Sequence, residues 1–221
     1  MRELWHSRSL RKLGNDRWAT ICLAIICAYG LVSVLVAFDA LGNHAQRVGD
    51  NYMQPSWGSW RTFLGTDRQG RSILVRVLYS AKVAFQIGFV AALVGVAVGT
   101  LLGGLAGYFG KWVDTLIVWL YSTVQSIPYL LLLIAIAYAI NNIEGIPKGK
   151  LGIYIAFSAT FWSGPCRIVR GEVLKLREAE YVQAATALGY GRTRVLFRHV
   201  LPNTMHLVLV NFALLFVGAI K

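Results

Sequence analysis

The sequence predicts an all-α fold, a polytopic transmembrane helical bundle, on three observations. Of its 221 residues 56% are apolar and only 14% charged, against about 25% charged in soluble globular proteins. Five apolar stretches are long enough to cross a hydrocarbon layer of about 30 Å, which takes about 20 residues: Trp18 to Phe38, Val83 to Phe109, Leu116 to Ile140, Leu151 to Val169 and Leu201 to Ile220. The cations stand almost entirely between these stretches, so the formal charge of +12 reads as membrane topology and not as a nucleic-acid footprint.

Residues 1–17 form a tail carrying Arg2, Arg8, Arg11, Lys12 and Arg17, and the segment from Arg167 to His199 carries Arg167, Arg170, Lys175, Arg177, Arg192, Arg194 and Arg198. The positive-inside rule places both in the cytoplasm. Residues 18–38 then form a first anchor, its apolar run being longer than the 7 to 15 residues of a signal peptide, with no small-x-small cleavage site before Asp39. Residues 39–82 become an external segment. That segment resists the rule, since it carries Arg47, Arg61, Arg68, Arg71, Arg76 and Lys82, but the rule is weakest for long loops. Its last part, Ser72 to Lys82, sets Ile73, Leu74, Val77, Leu78 and Ala81 on one face beside Arg71 and Arg76 and predicts an amphipathic interfacial helix.

Residues 83–221 form the core. In its first span Gly95, Gly99, Gly103 and Gly107 recur every four residues, a bare stripe that lets another backbone come close. Generic helix packing and a surface that slides during gating both fit this stripe. Pro128 and Pro165, in Ser126-Ile127-Pro128 and Ser163-Gly164-Pro165, are candidate kinks, each suited to a gate or to fixed architecture.

No Asp, Glu, Lys or Arg lies near the middle of a span; the polar groups there are neutral, such as Gln86, Ser122, Thr123, Gln125, Ser158, Thr160 and Asn211. Proton relays and ion-coupled carriers place ionisable groups at that depth, so this class is disfavoured. Cys22, Cys27 and Cys166 fall in apolar surroundings as small hydrophobes. His6, His44, His199 and His206 stand near interfaces without a metal-ligand set. No Gly-x-Ser-x-Gly, His-Glu-x-x-His or phosphate-cradling Gly-x-x-x-x-Gly-Lys-Ser/Thr occurs. The reading is therefore non-enzymatic: no catalytic, cofactor or metal residues are assigned. If nucleotide drives the protein, it sits on another chain. An ion-coupled secondary transporter and a membrane-embedded enzyme remain the alternatives.

The most informative run is Glu178-Ala-Glu-Tyr-Val-Gln-Ala-Ala-Thr-Ala-Leu-Gly189, followed by a basic stretch that re-enters the membrane at Leu201-Pro202. It predicts a short alanine-faced helix stopped by glycine, inside a cytoplasmic loop at about 170–200 that another protein grips. Ala184, Ala185 and Ala187 keep the helix slim, Tyr181 and Leu188 supply apolar anchors, and Gly189 ends it in a left-handed conformation.

This loop, with Gln183-Ala184-Ala185, three residues, Gly189 and then Leu201-Pro202, resembles the "EAA" signature of binding-protein-dependent ABC importer permeases. Leu64-Gly-Thr-Asp-Arg-Gln-Gly-Arg71 through Tyr79-Ser-Ala-Lys82, and Leu105-Ala-Gly-Tyr-Phe-Gly-Lys-Trp-Val-Asp114, are similar to the dipeptide/oligopeptide/nickel branch of that family. The likeness covers roughly residues 60–221 and departs from the signature at Gln183, where a glutamate is usual, and at His199, where isoleucine is.

The resemblance implies a type I permease-like bundle in a prokaryotic inner membrane. It also implies a sixth span beyond Lys221. The implied partners are a second, similar permease subunit, two cytoplasmic ATPase subunits that hold ATP and Mg, an external solute-binding protein, the lipid bilayer and a short-peptide cargo. Nickel or another small solute is the alternative cargo within that family. Glu178, Tyr181, Gln183, Ala184, Ala185, Ala187, Leu188, Gly189, Leu201 and Pro202 become the expected ATPase-docking residues.

Overall fold

The computed structural model describes residues 16–37, 43–145 and 149–220, which are mostly helical with no strand among them beyond two isolated bridges. The predicted tail, apart from its last two residues, and the first residues of the external segment lie outside this range. The chain divides into two compact units, residues 1–86 and 87–221.

The first unit opens with α1 (Arg17–Ala37), the predicted anchor. Asp16 starts it: its carboxylate accepts from the backbone N–H of Trp18 at 3.0 Å, satisfying one of the donors a helix start leaves free. Ile25, Ile26, Tyr29 and Leu31 are more than half exposed, a surface suited to hydrocarbon. Residues 43–72 follow as turns knitted by Asp67. Its Oδ1 accepts from the backbone N–H groups of Gln69 and Arg71 at 2.8 and 2.9 Å, and its Oδ2 faces Arg71 Nε at 3.5 Å and takes a hydrogen bond from Arg76. Thr66 Oγ1 ties the same turn to Asp50 and Met53.

Helix α2 (Ile73–Phe109) is 37 residues long. The interfacial helix and the second span, read as two elements, are one. Lys82 breaks the apolar run but not the helix, because a lysine costs a helix little and no glycine or proline stands between Ile73 and Gln86. Val77, placed on the apolar face, is half exposed, whereas Val75 is buried.

The second unit holds the rest. A tight turn with left-handed Gly110 (φ 63°) and Lys111 (φ 51°) leads into α3 (Lys111–Ser126). Span three is broken rather than kinked: Ile127 is extended (ψ 132°), Pro128 precedes α4 (Tyr129–Asn141), and the two helices meet at 93°. Proline has no N–H to continue the ladder and pushes its predecessor out of the helical region.

Span four also divides, into α5 (Lys150–Phe161) and α6 (Ser163–Leu176) at Trp162. Pro165 lies just past this break: with no N–H to offer the Phe161 carbonyl four residues back, it interrupts the ladder at Trp162, which keeps helical angles (φ −68°, ψ −26°). Then come α7 (Glu180–Ala187), the short α8 (Arg192–Val195), a π turn at Leu196–Val200, a 3-10 turn at Leu201–Thr204 and α9 (Met205–Ile220). Among the described residues, three helical runs are long and apolar enough to cross a membrane, Arg17–Val36, Ile73–Phe109 and Arg192–Ile220. The bent α3–α4 pair makes a fourth if it is one span. The fourth predicted stretch, Leu151 to Val169, appears instead as the two shorter helices α5 and α6.

Candidate docking loop and its base

The glycine stripe faces α5 and α6. A Cβ built on Gly95 would stand 2.9 Å from Phe161 Cβ; on Gly99, 2.5 Å from the Trp162 carbonyl oxygen and 2.8 Å from Pro165 Cβ; on Gly103, 3.0 Å from the Arg170 nitrogen; on Gly107, 2.8 Å from the Arg170 oxygen. Each step of four along α2 advances the partner by about four, so α2 and α6 run parallel with their backbones in close approach. Helix α9 lies antiparallel on another side of α2: Gly88 meets Phe216 and Ile220, and Gly104 meets Leu201. A side chain on Gly99, Gly103 or Gly107 would overlap backbone, which moves far less readily than a side-chain tip.

At the lower end of this seam Asp114, in the first turn of α3, receives Arg170 of α6 through two hydrogen bonds, Nε to Oδ1 at 2.5 Å and Nη2 to Oδ2 at 2.7 Å. About a quarter of each side chain is exposed. Such a two-pronged pair fixes orientation as well as distance. Arg177 adds a second tie, Nη1 to the Gly107 carbonyl at 3.4 Å, while its Nε holds Glu178 at 2.9 Å. The turn at Gly110 and Lys111 is what sets Asp114 beside α6. In the sequence Asp114 ends the motif at residues 105–114 and Arg170 is one of the cations that mark topology; they stand 56 positions apart, and no local spacing signals their meeting.

On this base the loop folds as a packed knob. Val169 and Val173 of α6, Val182 and Ala185 of α7, and Val195, Leu196 and Val200 form one buried cluster, with Leu201 packed against it. Helix α7 therefore has an inner face, Val182 and Ala185, and an outer one. Of the predicted docking residues, Glu178, Tyr181, Gln183, Ala184, Ala187, Leu188, Gly189 and Pro202 are exposed, Leu188 at 79%. Ala185 and Leu201 are corrected to packing residues: Ala185 is 5% exposed, since its i, i+3 spacing from Val182 turns it toward α6.

Local chemistry explains the rest of the knob. The Gln183 side-chain amide donates to the Glu178 carbonyl at 3.0 Å, a bond that a glutamate carboxylate has no hydrogen to make. Gly189 stands at φ 81°, as its sequence position predicts. Its N–H donates to the Thr186 carbonyl at 3.0 Å and that of Tyr190 to the Ala185 carbonyl at 3.2 Å, the paired bonds of a Schellman stop. Asn203, after Pro202, donates to the Tyr181 hydroxyl at 3.3 Å and ties the re-entry turn to α7. Arg194 stacks over the Tyr190 ring at 4.8 Å, leaving a basic flank with Arg192 and Arg198 exposed. Neither Asn203 nor Tyr190 was singled out from sequence, because their partners are 22 and four or more residues away on folded elements.

The described residues contain no group of three or more His, Cys, Asp or Glu arranged to hold a metal ion. The arrangement offers an exposed helix face on a packed apolar base.

Comparison with known proteins points the same way. Residues 99–221 match the family described as "Binding-protein-dependent transport system inner membrane component". The chain is 32% identical over 213 residues to the dipeptide transport system permease protein of Alkalihalophilus pseudofirmus, covering 96% of this chain and 67% of that protein. It is 32% identical over 212 residues to the oligopeptide transport system permease protein of Bacillus subtilis, covering 96% and 66%. It is also 37% identical over 161 residues to the peptidoglycan transport system permease protein of Agrobacterium fabrum, covering 72% and 40%. The chain thus spans about two thirds of the length of the peptide permeases it matches along most of its own length.

Proposed function

Because this chain belongs to the family of binding-protein-dependent transport system inner membrane components, we propose that it is the transmembrane permease subunit of an ATP-driven importer for short peptides. It forms half of a translocation path with a second permease subunit, and an external solute-binding protein delivers the peptide. Two cytoplasmic ATPase subunits carry ATP and Mg. The relatives named for dipeptide and oligopeptide transport support the peptide cargo. The basic residues of the tail and of the 167–199 segment support a cytoplasmic N-terminus and a cytoplasmic loop.

One observation carries the docking role. Helix α7 is held from within by Val182 and Ala185, in one cluster with Val169 and Val173 of the helix that carries Arg170, yet presents Tyr181, Ala184, Ala187 and Leu188 outward. A slim helix with an apolar outer face fits a groove in a partner, and its rigid base passes a push on the loop to α6 and, through the glycine seam, to α2.

The test is cross-linking in the assembled transporter. Leu188→Cys should cross-link to the ATPase subunit, and nucleotide should change the yield. Ala185→Cys, buried beneath the helix, should not cross-link. Absence of any ATPase cross-link from position 188 in a complex that still transports peptide would remove the docking assignment.

A further inference from the structure

The excess of cations on the 43–82 segment, which runs against the positive-inside rule, has a structural counterpart. Six cations, Arg47, Arg61, Arg68, Arg71, Arg76 and Lys82, face only two carboxylates there, Asp50 and Asp67. Arg68, Arg71 and Arg76 converge with Tyr52 and Thr66 around Asp67 to line an open cleft of about 380 Å³. We propose that this cleft holds the phosphate of an anionic phospholipid headgroup at the membrane surface.

Asp67 is not the ligand-binding group. Its two oxygens already take two backbone N–H groups and two guanidinium groups, so it has no lone pair to spare for a cation and instead orients Arg71 and Arg76. Each guanidinium has five N–H donors in a planar fork. Arg71 and Arg76 each direct one nitrogen at Asp67, and Arg68 has no partner among the described residues. Three guanidinium groups against one saturated carboxylate leave a net positive concavity rich in unused donors, which suits a phosphate oxygen set.

Position selects a lipid as the source of that phosphate. Helix α2, whose first turn lines the cleft through Ile73 and Arg76, runs unbroken into the apolar stretch that begins at Val83. Seven residues separate Arg76 from Val83, about 10 Å along a helix, and the headgroup layer is about 5–8 Å deep on each side. The arginine stems span the remainder. The same module exposes Tyr52 at 74%, Trp57 at 89%, Trp60 at 49% and Phe63 at 41%, the residue types that settle at the membrane–water boundary. A peptide carboxylate would satisfy the arginines but would leave both the aromatic surface and the helical tether without a role.

The chain, purified with the partners it assembles with, is equilibrated with a mixture of phosphatidylglycerol and phosphatidylcholine, and retained lipid is counted by native mass spectrometry. Wild type is expected to favour phosphatidylglycerol. Arg68→Gln, which breaks no contact within the fold, should lower that preference about fivefold, Arg76→Gln should do the same, and Arg68→Lys should retain most of it. Equal retention by wild type and both glutamine variants would overturn the proposal. So would Arg68→Gln weakening the binding of a short peptide while phosphatidylglycerol retention stays unchanged, which would assign the cleft to peptide. Neither readout depends on ATPase docking or transport.

Discussion

Arg170 reaches from the middle of α6 to grip Asp114 at the start of α3 with two hydrogen bonds, at the point where the glycine seam ends and the docking loop begins. The pair is three-quarters buried, so removing one partner strands a charge that water reaches poorly. Asp114→Ala and Arg170→Ala should each destabilise the chain by about 1.5–3 kcal/mol, seen as a lower unfolding midpoint in detergent. The double variant should cost less than the sum of the two. Additive losses would mean that the pair does not act as a unit.

The seam predicts opposite outcomes for two glycines. Gly99→Ala drives a methyl group to 2.5 Å from the Trp162 carbonyl oxygen and should cost about 1–3 kcal/mol through overpacking. Gly171→Ala, in α6 with open space around its Cβ position, should gain about 0.5–1 kcal/mol from helix propensity. Thermal unfolding of the two variants side by side checks the sign of each, and a neutral Gly99→Ala would show that the seam is looser than its geometry.

Gly189 separates conformation from space. Nothing lies within 4 Å of its Cβ position, but its φ is 81°, so Gly189→Val suffers backbone strain of about 1–2 kcal/mol and no clash. Membrane insertion should remain intact while ATPase association or transport per ATP falls. Gly191→Val is the control: Gly191 has equal space, and its φ of −61° suits any residue. Wild-type coupling in the Gly189 variant would show that the helix stop does not shape the docking surface.

Acid should loosen the 43–72 module. The Arg71 backbone N–H, with the Gln69 N–H and the Arg71 and Arg76 guanidinium groups, holds the Asp67 carboxyl below its ordinary value of 3.8, outweighing the desolvation that raises it. A carboxyl depressed in the folded state contributes stability above its unfolded value and loses it as pH falls through the folded one. Hydrogen exchange across residues 47–71, corrected for the intrinsic rate, should therefore accelerate below about pH 3.8. Asp67→Asn should exchange faster at neutral pH and show no such step. An identical step in Asp67→Asn would place its origin elsewhere.

Membrane spanning, the helical class, the glycine seam and the helix stop at Gly189 were all legible in the sequence. They depend on composition over about 20 residues, on a repeat of four, and on a backbone angle that one residue type tolerates, and each of these is local. Pro128 and Pro165 were legible as interruptions, but whether a proline bends a helix or begins a new one depends on how the flanking turns pack. The first breaks span three at 93°, and the second interrupts the ladder at Trp162, whose angles stay helical. The unbroken α2 was missed for a related reason, since a charge such as Lys82 interrupts hydropathy without interrupting hydrogen bonds.

What only the tertiary structure decided is which residues meet. Ala184 and Ala185 are chemically identical neighbours, yet one faces outward and the other is buried in a cluster with Val169, Val173, Val182 and Val195, because that cluster covers one side of α7 alone. Asp114 and Arg170, or Tyr181 and Asn203, come together only when separate helices dock. Local sequence sets the backbone's preferences, but the burial of an apolar face chooses among the orientations they allow, and that choice depends on surfaces far away along the chain.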